Sequence, residues 1–433
     1  MPISLRYGRG SLPLELPASV QPAVIRKPEM PRLPDAQNAV HNAFRNPVNA
    51  PPLSELASQA TSACIAICDI TRPVPNHLFL RPMIETLIAA GINAESITII
   101  VATGLHRPNT GDELAELIGD SWVLDHVRIV NHMARDEDAH VVLGRTRQRG
   151  TSVRLDRRFV EADLKIATGL VEPHFMAGWS GGRKVIAPGL AHAETITTFH
   201  NARFMSDPLA ANCNLRGNPL HEEQLEIVDL LGGAYAVNTV IDESRHLSFV
   251  NFGEITASHQ EAVDFVSDYC LLPVPRRYDT VITTAAGYPL DATYYQTIKG
   301  MVGAIGVLNP GGNLVIASAC SEGLGSPEFR SAQQRLVERG PEAFLQDILK
   351  KSHADIDEWQ TQMQLKPMAA GNVHLVTDGL SAEDRKLTGV TVWDSMEQCL
   401  LQCLDQSSDK AVAVIPEGPY VVPVLKSELA EAT

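Results

Sequence analysis

From about residue 60, apolar runs alternate with stretches of helical periodicity. "SACIAICDI" (62–70) reads as a buried strand and "HLFLRPMIETLIAAG" (77–91) as the helix after it. "SITIIVATG" is a second strand, "GDELAELIGD" a helix, "HVRIVNH" a third strand and "DLKIATG" a fourth. Strands alternating with helices predict a mostly parallel sheet covered on both faces. "AYAVNTVIDESRHLSFVNFGE" (234–254) predicts a hairpin turning at "DESR". After a linker, "LLPVPRRYD", a second alternating set begins, with strands "TVITTAA", "NLVIASA" and "NVHLVTD". The prediction is an α/β protein of two domains, 1–270 and 275–400, each a mostly parallel sheet flanked by helices. "DKAVAVIPEGPYVVPVL" supplies a further strand open to either domain, with the tail 405–433 set beside the first domain. The proline-rich first 50 residues read as an ordered arm or edge hairpin on that same domain.

Length and composition narrow the class. A chain of 433 residues exceeds one ordinary core. With 44% hydrophobic and 20% charged residues it reads as globular rather than disordered or fibrous. Asp and Glu outnumber Lys and Arg by 51 to 36, a formal charge of −15, which argues against nucleic-acid and anionic-membrane partners. The N-terminus lacks the apolar region of a secretory signal, and "ITIIVA" falls far short of the roughly 18 apolar residues of a membrane span. Seven cysteines without a CxxC pair read as buried thiols in a reducing cytoplasm.

Ligands of open parallel sheets bind outside the carboxyl ends of the strands. There the sequence repeats itself: "VATGLHRP" and "IATGLVEPH" both run from a strand into Ala-Thr-Gly-Leu and then a histidine. With "DITRPVPN", three strand ends bring Asp69, Thr71, Arg72, His106, Arg107, Glu172 and His174 to one rim, on turns stiffened by proline. Directly after His174 comes "FMAGWSGGRKVIAPG". Its glycines permit tight turns and a close approach to a ligand, and Lys184 stands near a helix start. This is not a phosphate-binding Walker loop, since Val185 replaces the Ser/Thr that holds magnesium. Spacing alone leaves two readings of Lys184, an anion ligand or an amine made reactive by neighbouring cations such as Arg183. His192 and His200, eight apart on helical text, are set to share a face. In the second domain "GYPLDATYYQTIKG" places Tyr295 and Lys299 on one face of a helix starting near Asp291, beside Gln296; Trp359 in "DEWQ" reads as packing.

Together "DITRPVPN", "TGLHRP", "GLVEPHFMAGWSGGRKVIAPG", "TFHN", "GYPLDATYYQTIKG" and "DEWQ" resemble, in order and approximate spacing, the nickel-pincer lactate racemase family over residues 1–400. The resemblance implies a racemase or epimerase of a 2-hydroxy acid, lactate by default, working by reversible hydride transfer through a 2-keto acid. It implies a nickel pincer nucleotide, a pyridinium mononucleotide with thioamide and thiocarboxylate arms, made by separate biosynthetic proteins. Lys184 matches the covalent anchor, with Asp69, Thr71, Ser180, Gly181 and Gly182 around the cofactor, and His200 matches the nickel ligand. His106 and His174 match paired acid/base residues; Arg72, Tyr295, Gln296, Lys299 and Trp359 match substrate-side residues. The site is expected in the cleft between the domains, in a cytoplasmic enzyme compatible with a homodimer.

The residue types suit that chemistry. Proton removal beside an anionic carboxylate is hard, whereas moving the hydrogen as hydride avoids a carbanion and needs an electron-poor acceptor and a base for the hydroxyl proton. Imidazoles, with an unperturbed pKa near ~6.5, serve in both protonation states. An arginine clamps a carboxylate with parallel hydrogen bonds. Trp179 where a tyrosine is common, His192 where a small residue is common, and "SACSEGLGS" without the family's acidic residue leave the substrate side chain open. A larger, malate- or sugar-acid-like substrate is one alternative. A lysine-dependent lyase or hydrolase, or a binding protein without the cofactor, are the others.

Overall fold

The computed structural model describes residues 2–427. The chain forms two compact units: Glu29–Phe199 with Asn214–Ser267, and Met1–Pro28 with His200–Cys213 and Asp268–Thr433. Both are α/β, and each is built on a six-stranded sheet.

In the first unit the strand order is Leu247–Glu254, Tyr235–Ile241, Leu164–Leu170, Ala63–Cys68, Ile97–Ala102, Arg128–Asn131. All pairs are parallel except the hairpin at the Leu247–Glu254 edge. Its turn forms as expected, with Asp242 Oδ1 accepting from the backbone N–H groups of Ser244 and His246 at 2.8 Å each. Side chains alternate across a strand, so Ile65, Ile99, Val101 and Ile166 face one side and pack with Phe79, Met83 and Phe44. Ala66, Ile100 and Ala167 on the opposite face are also fully buried. Burial on both faces explains why these strands read as continuous apolar runs rather than as alternation.

The second unit's sheet runs Thr391–Trp393, Gly371–Val376, Leu308–Ala317, Tyr278–Thr284, Ala411–Ile415, Gln21–Val24, all parallel. Three expectations about the domain boundaries change here. The N-terminal arm is a hairpin, Ile3–Tyr7 against Gly10–Leu14, but it belongs to the second unit. Leu5, Leu14 and Val20 enter the core formed by Ile282, Val315, Val412 and Val414, and Gln21–Val24 extends the sheet edge. The tail also stays in this unit: Ala411–Ile415 pairs with Tyr278–Thr284, and Val422–Leu425 pairs with Leu271–Val274. Residues 428–433 of the expected tail lie outside the described residues. Finally, His200–Cys213 groups with the second unit because the helix Glu358–Ala370 holds its backbone. Gln362 Nε2 donates to Ala202 O at 2.9 Å, and Lys366 Nζ donates to Ala210 O at 2.7 Å.

Among the described residues no helix is long and apolar enough to cross a membrane. All seven cysteines are free thiols.

Candidate functional site

The first unit's strand ends do converge. Asp69, just past Ala63–Cys68, is buried and accepts two hydrogen bonds, from Thr71 Oγ1 at 2.5 Å and from His106 Nδ1 at 2.6 Å. Burial raises its carboxyl, but the bonds from His106 and Thr71 and the charge of Arg72 outweigh that and hold it below the usual range. An ionised carboxylate only accepts, so Nδ1 of His106 carries the hydrogen and Nε2 presents a lone pair. The His106 side chain is 64% exposed, so that lone pair faces solvent or a ligand. Arg72 Nη1 lies 2.5 Å from Glu172 Oε1, pairing two neighbouring strand ends.

His174 is in the opposite condition. It is buried, and its Nδ1 accepts from the backbone N–H of Ala177 at 3.1 Å. The hydrogen of the neutral ring therefore sits on Nε2. The two histidines that the sequence pairs are thus held as different tautomers.

Lys184 follows Gly182, whose φ of +47° opens the short helix Arg183–Ile186. Burial first, then the charges of Arg72 and Arg183, pull its amine down to about 7. Among the described residues the amine has no hydrogen-bond partner. The adjacent Arg183 is fully buried, and burial lowers it to about 9. Its guanidinium donates to His221 Nδ1 at 2.9 Å and to Ala177 O at 3.0 Å, and it lies 2.9 Å from His259 Nε2. Among the described residues no carboxylate pairs with it. The sequence reading missed His221 and His259. The available signal was a histidine on the buried stripe of the helix Ile255–Cys270, beside Ala262 and Val266.

The glycines make the expected tight turns, at φ +77° for Gly181 and +47° for Gly182, and they also serve packing. They read as room for a ligand, but a Cβ on Gly181 would meet Val171 Cγ2 at 2.8 Å, and one on Gly182 would meet the His259 ring at 2.9 Å. Their smallness is accounted for by protein packing. Ser180 is likewise occupied: its hydroxyl donates to Leu170 O at 2.7 Å and accepts from Glu172 N at 3.0 Å, stitching the loop to its strand. Thr71 is exposed and tied to Asp69.

His192 and His200 do not share a helical face. His192 precedes the helix Ala193–Phe199, its Nδ1 accepting from Glu194 N at 3.2 Å and its ring edge-on to His140 at 5.0 Å. His200 follows that helix, in the second unit. There its ring lies 5.2 Å from that of Trp359. The next residue, Gln360, donates to Tyr295 O at 2.6 Å, so His200, Trp359 and Tyr295 form one neighbourhood. The helix carrying Tyr295 begins at Tyr294, capped by Thr293, rather than near Asp291. Asp291 is instead a buried acceptor for Gly8 N at 2.6 Å and Ala319 N at 3.2 Å. On that helix Tyr295, Gln296 and Lys299 are half-buried, whereas Tyr294, Thr297 and Ile298 are buried, so the three share the open face.

Comparison with known proteins decides the family. Residues 7–212 match the lactate racemase N-terminal domain and residues 275–423 the lactate racemase C-terminal domain. A lactate racemase of Lactiplantibacillus plantarum is 30% identical over 397 residues, 89% of this chain and 90% of that one. The chain belongs to the lactate racemase family. The family makes it a racemase, an isomerase. The lactate racemase of Thermoanaerobacterium thermosaccharolyticum is 29% identical over 429 residues, covering 97% of this chain and 98% of its own. The apoprotein structure from that organism aligns with a TM-score of 0.90, over 98% of this chain and all of the other. A crystal structure from Thermotoga maritima, 16% identical with a TM-score of 0.62, shares the fold.

Proposed function

We propose that this family member interconverts the enantiomers of a 2-hydroxy acid, lactate first among them, using a nickel pincer nucleotide linked to Lys184. The observation that carries the reading is the state of Lys184. Acylation needs an uncharged amine, and this one is pulled down to about 7 without a carboxylate partner, on the rim that holds the Asp69–His106 pair. A purely electrostatic anion ligand would be served better by an amine that stays charged. Lys184 would hold the cofactor by an amide-type bond, and the His200 imidazole would be a nickel ligand. Bound there, the group supplies an electron-poor acceptor for hydrogen on the substrate's α-carbon.

The chain's own residues do the rest. Arg72 would take the substrate carboxylate, exchanging part of its pairing with Glu172 for it. His106, oriented by Asp69, would take the hydroxyl proton at Nε2, the carboxylate stabilising the imidazolium that forms. His174 would offer Nε2–H to the oxygen of the planar keto acid, its Nδ1 kept on the Ala177 N–H. To deliver a proton to the product oxygen it must first release the Ala177 bond and carry hydrogen on both nitrogens; in the opposite sense the neutral Nδ1–H ring takes the hydroxyl proton at Nε2. Tyr295, Gln296, Lys299 and Trp359 would act on the substrate side. Free thiols throughout suit a reducing cytoplasm, where the cofactor-forming proteins would be the partners.

The test is co-expression with those cofactor-forming enzymes, followed by intact-mass and nickel analysis and by assay of D- and L-lactate and bulkier 2-hydroxy acids. An adduct on Lys184, one nickel, and retention of α-deuterium in the product are expected. Racemisation without an adduct, or washout of the α-deuterium into water, would overturn the reading.

A further inference from the structure

The second unit holds a cluster that the proposed racemase chemistry does not use. Along Gly371–Val376 side chains alternate, so His374 faces the same side as Val376, the side packed by the helix Met396–Gln406. That helix turns Met396, Cys399, Leu400, Cys403 and Leu404 toward the sheet. Cys399 and Cys403 are spaced i, i+4 and stack one turn apart, the spacing by which paired ligands on one helix face a single metal. His374 Nε2 lies 3.2 Å from Asn313 Oδ1, and Trp393 Nε1 donates to His374 Nδ1 at 3.2 Å. The neutral ring therefore keeps its hydrogen on Nε2 and a lone pair on Nδ1.

We propose that His374, Cys399 and Cys403 form a buried site for a thiophilic d10 cation, Zn2+ or Cu+. One ligand atom from each lies within 4.8 Å of the other two, and all three residues are buried. Two thiolates and an imidazole are the donor set these cations prefer. Buried cysteines alone are common packing residues. An imidazole with a ring nitrogen within 4.8 Å of both sulfurs, on a sheet face otherwise lined by Ile282, Val315, Val412 and Val414, is not needed for packing. On uptake both thiols release their protons to solvent and two sulfur–metal bonds form, with no change of oxidation state. Nδ1 of His374 exchanges the Trp393 N–H for the cation. Its Nε2–H stays on Asn313, the outer acceptor that fixes a ligating imidazole.

Reduced, metal-stripped full-length protein titrated with Zn2+, Cu+ and, as a chromophore, Co2+ tests this. We expect about one tightly held equivalent, and with Co2+ the intense near-ultraviolet absorption of thiolate-to-cobalt charge transfer. Cys399→Ser and Cys403→Ser should lose both, whereas His200→Ala and Lys184→Ala should keep both, which separates this site from the proposed pincer chemistry. No such absorption in the wild-type protein would overturn the proposal. So would undiminished uptake by a Cys399→Ser, Cys403→Ser double variant whose circular dichroism remains native.

Discussion

The two Ala-Thr-Gly-Leu segments begin alike and end differently. In the first, the strand Ile97–Ala102 stops at the alanine and Gly104 turns at φ +55°. In the second, the same four residues, Ala167 to Leu170, remain strand. The reason lies in their neighbours. The ladder to Arg128–Asn131 ends at Val101 and the ladder to Ala63–Cys68 ends at Ala102, so nothing extends the first strand further. The second lies beside Tyr235–Ile241, whose Thr239 pairs with Leu170. The shorter strand releases a loop that holds His106 in the open against Asp69; the longer one carries the chain on to bury His174 against the backbone of Ala177. One repeated motif thus yields a histidine oriented by a side chain and a histidine oriented by the backbone. A two-sided reaction would use both.

The largest test of that asymmetry is removal of the base. With cofactor loaded, His106→Ala should lower kcat/KM by ~10²–10⁴-fold in both directions, which an equilibrium constant of one ties together. A loss below tenfold would break the assignment. Asp69→Asn keeps the shape but removes the charged acceptor of Nδ1–H, a bond worth ~1.5–3 kcal/mol, so roughly a 10–100-fold loss in kcat is expected. The His174 ring, whose Nδ1 accepts from the backbone N–H of Ala177, should keep its orientation in Asp69→Asn.

The Lys184 amine can be read by pH. Lys184 is protonated and unreactive below its pKa of about 7 and free above it, so acylation of the apoprotein should fall about tenfold per pH unit below 7 and level off above. Replacing Arg72 with Gln removes a cation that disfavours the ammonium, and should move the midpoint upward. A profile centred near ~10.4, as for an exposed lysine, would contradict the burial argument.

The smallest effects separate the two glycines of the repeat. A Cβ on Gly169 would meet Gly181 Cα and Val185 Cγ2, each at 3.0 Å, so Gly169→Ala should cost ~1–3 kcal/mol in denaturant unfolding and disturb the Lys184 loop. Gly104 has space, its nearest atom being Pro188 O at 3.6 Å, but a left-handed φ. Gly104→Ala should cost about 1 kcal/mol, and Gly104→Asn less, because asparagine tolerates that region. Equal losses for alanine and asparagine at Gly104 would mean that contact rather than backbone conformation governs both sites.

Much of this was legible in the residues alone. Apolar runs located the parallel strands because burial on both faces demands them, and Asp242 marked the hairpin because its side chain builds the turn. The clustering of Asp69, Arg72, His106, Glu172 and His174 followed from strand order and the rule for strand ends. Linear text could not show which chain segments pack together. Leu5 and Leu14 alternate as any hairpin would, and only the second unit's core decides where they are buried. His200 follows a helix of the first unit, yet its segment is held by Gln362 and Lys366, more than 150 positions away. The same limit applies to the chemistry. The family resemblance made His106 and His174 a matched pair, and residue type made the glycines room for a ligand. Tautomer and fit depend on which atoms lie within 3 Å, and those come from distant parts of the chain. Sequence therefore determined the elements and the candidate reacting groups of this family member; only tertiary structure decided their tautomers, their partners and the unit each belongs to.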